Sequence, residues 1–273
     1  MPLRRLALLT TLATALLAAP AAADAATSTS SNWAGYAVSK PGVKFRRAAA
    51  TWVQPKASCT ASGRRRYSAY WLGLGGYHTY SSALEQIGTE ADCTAKGTPS
   101  YSAWYEMVPE DPVDIDLTIR PGDTLSASVT VSGHTVKLYL ANRTRGTRFT
   151  KQLTVDRIDV TSAEWIVEAP SACYGDRCET LPLANFGSAA FANAKATTTT
   201  GHSGAINDTA WSATAIALRS DSGRAFGGRF TSDDGAGGAT PGDLTPTGDG
   251  FPVTYEEVKQ TPTAQPGPPG APF

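Results

Sequence analysis

Four segments put carboxylates or amides among aromatic residues at spacings that could support catalysis. In Ala83-Leu84-Glu85-Gln86-Ile87-Gly88 the two polar residues are adjacent, so on an extended chain Glu85 and Gln86 point to opposite faces. In Tyr101-Ser102-Ala103-Trp104-Tyr105-Glu106 a carboxylate follows three aromatics. In Ala163-Glu164-Trp165-Ile166-Val167-Glu168 the two glutamates share a face with Ile166, opposite Trp165 and Val167. Tyr70-Trp71-Leu72-Gly73-Leu74-Gly75 is an aromatic run that stops at glycines. A carboxylate can take a proton from an attacking water and later return it to a leaving group. A neutral amide can orient that water through its oxygen and donate N–H to a developing oxyanion. Carboxylates beside aromatics suit protein and sugar substrates equally, and each segment also reads as a strand with one wet face. Other chemistries find little support. The sequence has no Gly-x-Ser-x-Gly, His-Glu-x-x-His, phosphate loop or dinucleotide fingerprint. His78, His134 and His202 stand in loop-like contexts rather than in a recognisable Ser-His-Asp arrangement.

These side chains must be positioned by strands. Past the first two dozen residues the dominant hydrophobic period is two, and no amphipathic helix interrupts it. Strands are expected at 48–53, 67–74, 81–88, 101–107, 113–119, 125–131, 135–140, 149–155, 163–168, 189–196, 211–218 and 226–230. Turn signals such as Arg120-Pro121-Gly122-Asp123 separate them, and this rhythm means a sandwich or barrel. The expected fold is all-β, one domain over 30–256. Residues 232–250, rich in Gly, Asp and Pro, read as a long surface loop, with a last strand at 251–256 and a flexible Pro/Gly-rich tail over 257–273.

Composition narrows the class. The 273 residues carry 24 Lys+Arg against 24 Asp+Glu, with no basic block, so binding of nucleic acid is not the expected task. Met1 to Arg5 is short and basic, Leu6 to Leu17 is apolar, and small residues follow. That order reads as a secretory signal over 1–23, cleaved after Ala23 or Ala26, and implies a secreted protein without a membrane anchor. Its removal takes Arg4 and Arg5 with it, leaving 22 basic against 24 acidic residues. An exported chain with four cysteines reads as a disulfide carrier. A local bridge between Cys173 and Cys178 would leave Cys59 for Cys93, although four cysteines permit three pairings. Zinc fits poorly, because Cys-x4-Cys has no His or second close pair nearby, and no metal or other cofactor is expected.

In order along the chain, Ser31-Asn32-Trp33-Ala34-Gly35-Tyr36, Trp71-Leu72-Gly73-Leu74, Leu84-Glu85-Gln86-Ile87-Gly88 and the 101–106 segment resemble the glutamic peptidases, or eqolisins. The 163–168 segment and Phe186-Gly187 continue the resemblance, which covers 30–256. It implies a concanavalin-like β-sandwich of two antiparallel sheets of about seven strands each. It also implies a secreted, pepstatin-insensitive endopeptidase, active in acid on polypeptides as a monomer, with no covalent intermediate. By motif its catalytic pair falls on Gln86 and Glu168, with Trp71 as a groove wall and Glu106 as a supporting carboxylate.

The sequence departs from the fungal pattern at Gly75, Ser102 and Asn185, where acids are expected, and at Glu90, where Asp is. Fewer acids imply less like-charge pressure and a milder pH optimum than in strongly acidic relatives. Two rivals remain open: a carbohydrate-binding or glycoside-hydrolase sandwich using Glu106 with Glu168, and an inactive structural sandwich. Asn142 and Asn207 head glycosylation sequons, and Arg64-Arg65-Arg66 reads as a solvated loop.

Overall fold

A computed structural model describes residues 25–174, 177–219 and 237–257. The described residues form strands and no helix. In chain order these are β1 (Ala26–Ser30), β2 (Trp33–Ser39), β3 (Phe45–Val53), β4 (Ala69–Gly75), β5 (Leu84–Cys93) and β6 (Pro99–Val108). There follow β7 (Val113–Ile115), β8 (Thr124–Ser132), β9 (Thr135–Asn142), β10 (Thr147–Thr154), β11 (Ser162–Glu168) and β12 (Ser171–Tyr174). The last are β13 (Arg177–Thr180), β14 (Ser188–Thr198), β15 (Ser203–Gly204), β16 (Ser212–Leu218), β17 (Gly238–Pro241) and β18 (Phe251–Glu256).

Alternation drives the assembly. In β9, Val136, Leu138 and Leu140 are buried while Lys137 is exposed; such a strand gains by turning one face to a partner sheet. The ladder runs β10-β9-β8-β3-β14-β18-β17 and then β16-β2-β11-β4-β5-β6-β7, two halves of seven strands each. One residue pair, Leu218 with Ala239, joins them. The halves fold face to face over a core that includes Val38, Leu72, Trp165, Leu125, Leu138 and Phe191. The all-β antiparallel sandwich read from the sequence is therefore the observed fold.

Several expected elements differ. The strand expected over 113–119 stops at Ile115, because Leu117 N–H turns back onto the Ile115 carbonyl (2.7 Å) and leaves the ladder. The loop expected over 232–250 contains β17, antiparallel to β18. Small residues permit that approach: a Cβ on Gly237 would lie 2.4 Å from the Tyr255 ring. Strands β1 and β2 and the β12–β13 hairpin have no counterpart in the expected series. The leader expected over 1–23, the strand over 226–230 and nearly all of the tail lie outside the described residues.

Disulfides join Cys59 to Cys93 and Cys173 to Cys178, the latter across the β12–β13 hairpin. The first closes a separation of 34 residues and the second one of 5. Loop-closure entropy gives about 4 kcal/mol for the long loop and about 2 kcal/mol for the short one. Cys59→Ser with Cys93→Ser should therefore lower the denaturant midpoint more than the Cys173, Cys178 pair of substitutions. Equilibrium unfolding of both double variants checks the order.

Asn142 is fully buried, and its Nδ2 donates to Asp123 Oδ2 (2.7 Å) and the Thr118 carbonyl (3.1 Å). Its sequon is thus closed to glycosylation in the folded protein.

Candidate active site

The four residues singled out from the sequence converge on the outer face of the second half. Strand β11 pairs with β4, β4 with β5, and β5 with β6, so residues in register form transverse rows. Glu164, Gly73, Gln86 and Glu106 make one row; Ile166, Trp71, Gly88 and Trp104 make the next; Glu168, Ala69, Glu90 and Ser102 make the third. Alternate residues of these strands belong to the core between the sheets, which aims the three rows outward. Glycines clear the surface. A Cβ on Gly88 would sit 2.6 Å from Trp71 Cβ, and one on Gly73 3.2 Å from Gln86 Cβ. The indole of Trp71 needs the first gap, and Gln86 stands beside the second.

Two hydrogen-bonded pairs define the site. Trp71 Nε1–H donates to Glu168 Oε2 at 2.7 Å. Gln86 Nε2–H donates to Glu106 Oε2 in a close contact. That bond fixes which way the buried amide faces, because a carboxylate only accepts. Gln86 Oε1 is left buried with no hydrogen-bond partner, an acceptor held ready for a donor from outside the protein. The carboxyl of Glu168 is pushed up to about 7, first by burial and then by the negative charge of Glu106. Donors from Trp71, Trp33 and Asn32 oppose that rise. Glu106 is raised as well, by burial, with the Gln86 amide pulling the other way and Asp111 adding to the rise.

Two contributors carry no role in the reading of the sequence. Asn32 Nδ2–H donates to Glu168 Oε1 at 2.9 Å, so both oxygens of that carboxylate are held. Trp33 packs edge-on against Trp71 with ring centroids 5.0 Å apart. Their signal is the Asn-Trp pair heading β2, which has no periodic partner to mark it.

The acids that seemed lost are partly restored in space. A Cβ on Gly75 would lie 2.6 Å from Asp159 Cβ, so a carboxylate from the loop before β11 occupies that corner. Asp159 accepts from Ser81 Oγ and, at 2.7 Å, from Thr161 Oγ1. Burial pushes it up, but these donors outweigh burial and hold it below the usual carboxylate range. Glu90, in the row of Glu168, accepts from Ser102 Oγ at 3.1 Å, and burial raises it. Asp159 acts on Glu85 and Glu164, and Glu90 on Asp92, whereas the like charge acting on Glu168 is Glu106. Among the described residues no three or more His, Cys, Asp or Glu side chains are grouped to hold a metal ion. His202 bonds Asp208 (3.0 Å) and His134 bonds the Val155 carbonyl (2.9 Å); neither meets a serine hydroxyl.

A family description, the peptidase A4 family, matches residues 31–226. The chain belongs to this family. It is thereby an endopeptidase of the glutamic type, and solved structures agree. The crystal structure of scytalido-glutamic peptidase with a transition state analog inhibitor is 27% identical, with a TM-score of 0.63 over 84% of this chain and 98% of that one. SCP-B, a member of the eqolisin family in complex with the tripeptide Ala-Ile-His, is 25% identical, with a TM-score of 0.54 over 84% and 98%. Aspergilloglutamic peptidase from Aspergillus niger is 28% identical, with a TM-score of 0.50 over 70% and 99%. No curated protein sequence matches this chain.

Proposed function

We propose that the protein is a secreted endopeptidase that hydrolyses polypeptides in weak acid through Gln86 and Glu168, without a covalent intermediate and insensitive to pepstatin. The observation that carries this reading is the division of labour on the outer face. Glu168 is a carboxylate with both oxygens held, and Gln86 is an amide whose nitrogen is pinned while its oxygen stays unpartnered. Ionised Glu168 takes a proton from water as it attacks the scissile carbonyl, then delivers that proton to the leaving nitrogen. Gln86 Oε1 accepts from the water, and its second N–H faces the oxygen on which charge develops. Glu106 holds the amide, and Trp71 and Asn32 hold the base. A signal over 1–23 accounts for export, and the two disulfides are consistent with an oxidising destination.

A base pushed up to about 7 has a defined pH signature. Activity should climb from pH 2 as Glu168 ionises and peak at about pH 5 to 7, where its proton can still be returned. Replacing Glu106 by Gln removes a negative neighbour, so the rising limb should move to lower pH. Initial rates on an unfolded protein between pH 2 and 8, with pepstatin present, test both statements. A maximum near pH 2, or full inhibition by pepstatin, would overturn the reading.

A further inference from the structure

The formal balance of charge conceals a polarised molecule. The seven strands of the catalytic half, β16, β2, β11, β4, β5, β6 and β7, contain seven Asp and Glu and not one Lys or Arg. Five neighbouring strands of the other half, β10, β9, β8, β3 and β14, contain six Lys and Arg and not one Asp or Glu. The core separates the two outer faces, so the Lys and Arg of these strands are confined to one side of the sandwich.

The basic side is shaped as well as charged. A depression of about 580 Å³ crosses β3, β8 and β9, within the usual range of ligand-binding clefts, about 300–1,000 Å³. Arg47, Thr130 and Lys137 stand in register across it, and Ala49, Ser128 and Tyr139 form the next row. Arg143 lies 6.0 Å from the centroid of the Tyr139 ring. Arg47 donates to Thr130 Oγ1 at 3.2 Å, and Asn193, at a bulge in β14 with φ +53°, donates to Thr51 Oγ1 at 3.0 Å. Arg47, Lys137 and Arg143 make no ion pair with any carboxylate among the described residues. Three cations around a floor of hydroxyls, an amide and one ring lack only an anionic partner.

We infer that this depression binds an anionic polysaccharide, a sugar chain bearing carboxylates, and that the bound enzyme presents its catalytic face away from that chain. Serine, threonine and asparagine match sugar hydroxyls, which both donate and accept. Arginine forks match carboxylates, and a single tyrosine face offers a platform for one sugar ring. The other polyanions fit less well. Single-stranded nucleic acid wants several stacking rings, whereas this depression has one. A lipid surface wants apolar side chains to insert, and the lining residues are small, hydroxylated or charged. The strands of the catalytic half offer a polyanion no Lys or Arg, so only the opposite face attracts it. This inference does not depend on the catalytic assignment of Gln86 and Glu168.

Calorimetric titration of the whole protein at pH 5.5 and low salt, with oligogalacturonate as the probe, tests it. Neutral maltooligosaccharide, single-stranded DNA and phosphatidylglycerol vesicles serve as comparisons. Oligogalacturonate should bind and weaken as salt rises, and maltooligosaccharide should not bind. Arg47→Gln with Lys137→Gln removes two charged donors and should weaken binding about tenfold or more. The single exposed change Lys137→Glu should act in the same direction. Lys96→Gln, in the turn between β5 and β6, should change nothing, and peptide hydrolysis should be intact in every variant. Absence of oligogalacturonate binding, unaltered binding in the Arg47 and Lys137 variants, or tighter binding of DNA or vesicles would each overturn the inference.

Discussion

Glu168→Gln is expected to reduce hydrolysis of an unfolded protein by about 10³-fold, within the range that a positioned general base supplies. The amide keeps the shape of the carboxylate and can still accept from the Trp71 indole, so the fold should survive while proton transfer is lost. Gln86→Ala should cost about 10²- to 10³-fold, the usual consequence of removing one preorganised oxyanion donor. Its truncation also releases Glu106 from its amide contact. The pair of results separates three readings of the same face. A two-carboxylate glycosidase would lose everything in Glu106→Gln and keep partial activity in Gln86→Ala, since its chemistry needs only the acids. An inactive structural sandwich would show no catalytic change in either variant. Near-complete loss in both Gln86→Ala and Glu168→Gln, with a shifted pH profile in Glu106→Gln, is the pattern of the amide–carboxylate mechanism. Steady-state rates at matched pH, with unfolding curves to show that each variant is folded, give the answer.

The proposed pairing of Gln86 with Glu168 comes from motif resemblance rather than from local pattern. Their spacing of 82 residues says nothing about proximity, and no local period links them. Ordered motif resemblance linked them, and the ladder places both on one sheet: β4 lies between β5 and β11 and brings Gly73 and Trp71 with it. Strand identity was legible wherever one face is wet, as in β9, where Val136, Leu138 and Leu140 alternate with Lys137 and Tyr139. It was illegible where other forces decide. Strand β2 is buried at Ala34, Gly35, Tyr36, Ala37 and Val38, because β11 and β16 flank it and both its faces are covered. Strand β17, Gly-Ala-Thr-Pro, has the composition of a loop and becomes a strand by pairing with β18 along its length. Asp159 shows the limit of comparing positions: a carboxylate absent at Gly75 is supplied by a segment 84 residues away.

The same burial that tunes the site should make the fold most stable in weak acid and weaken it as pH rises. Glu85 is pushed up to about 8, mainly by burial, with backbone N–H donors opposing and Asp159 adding to the rise. Asp92 is pushed up to about 7 by burial and by Glu90. Glu164 is fully buried, and burial raises it well above its ordinary value, with Ser162 opposing and Asp159 and Glu85 adding to the rise. In the unfolded chain these groups ionise near their ordinary values, so between about pH 4.5 and 8 the native state holds more protons than the unfolded state. Stability must then fall as pH rises through that window. The loss grows by about 1.4 kcal/mol for every tenfold difference in proton affinity between the native and unfolded states. For a domain of this size that loss lowers Tm between pH 4.5 and pH 8. Asp123 works in the opposite sense. Burial pushes it up, but Arg145 Nε (2.7 Å), Asn142 and the Arg120 N–H outweigh burial and hold it low, so its contribution is lost below its ordinary range. The two sets of groups bracket a stability maximum in weak acid, the range proposed above for hydrolysis. Glu164→Gln isolates the effect: an amide cannot ionise, so the Tm difference between pH 4.5 and 8 should shrink in that variant. Calorimetric scans across this range decide the matter, and a Tm that rises steadily to pH 8 in the wild type would refute it.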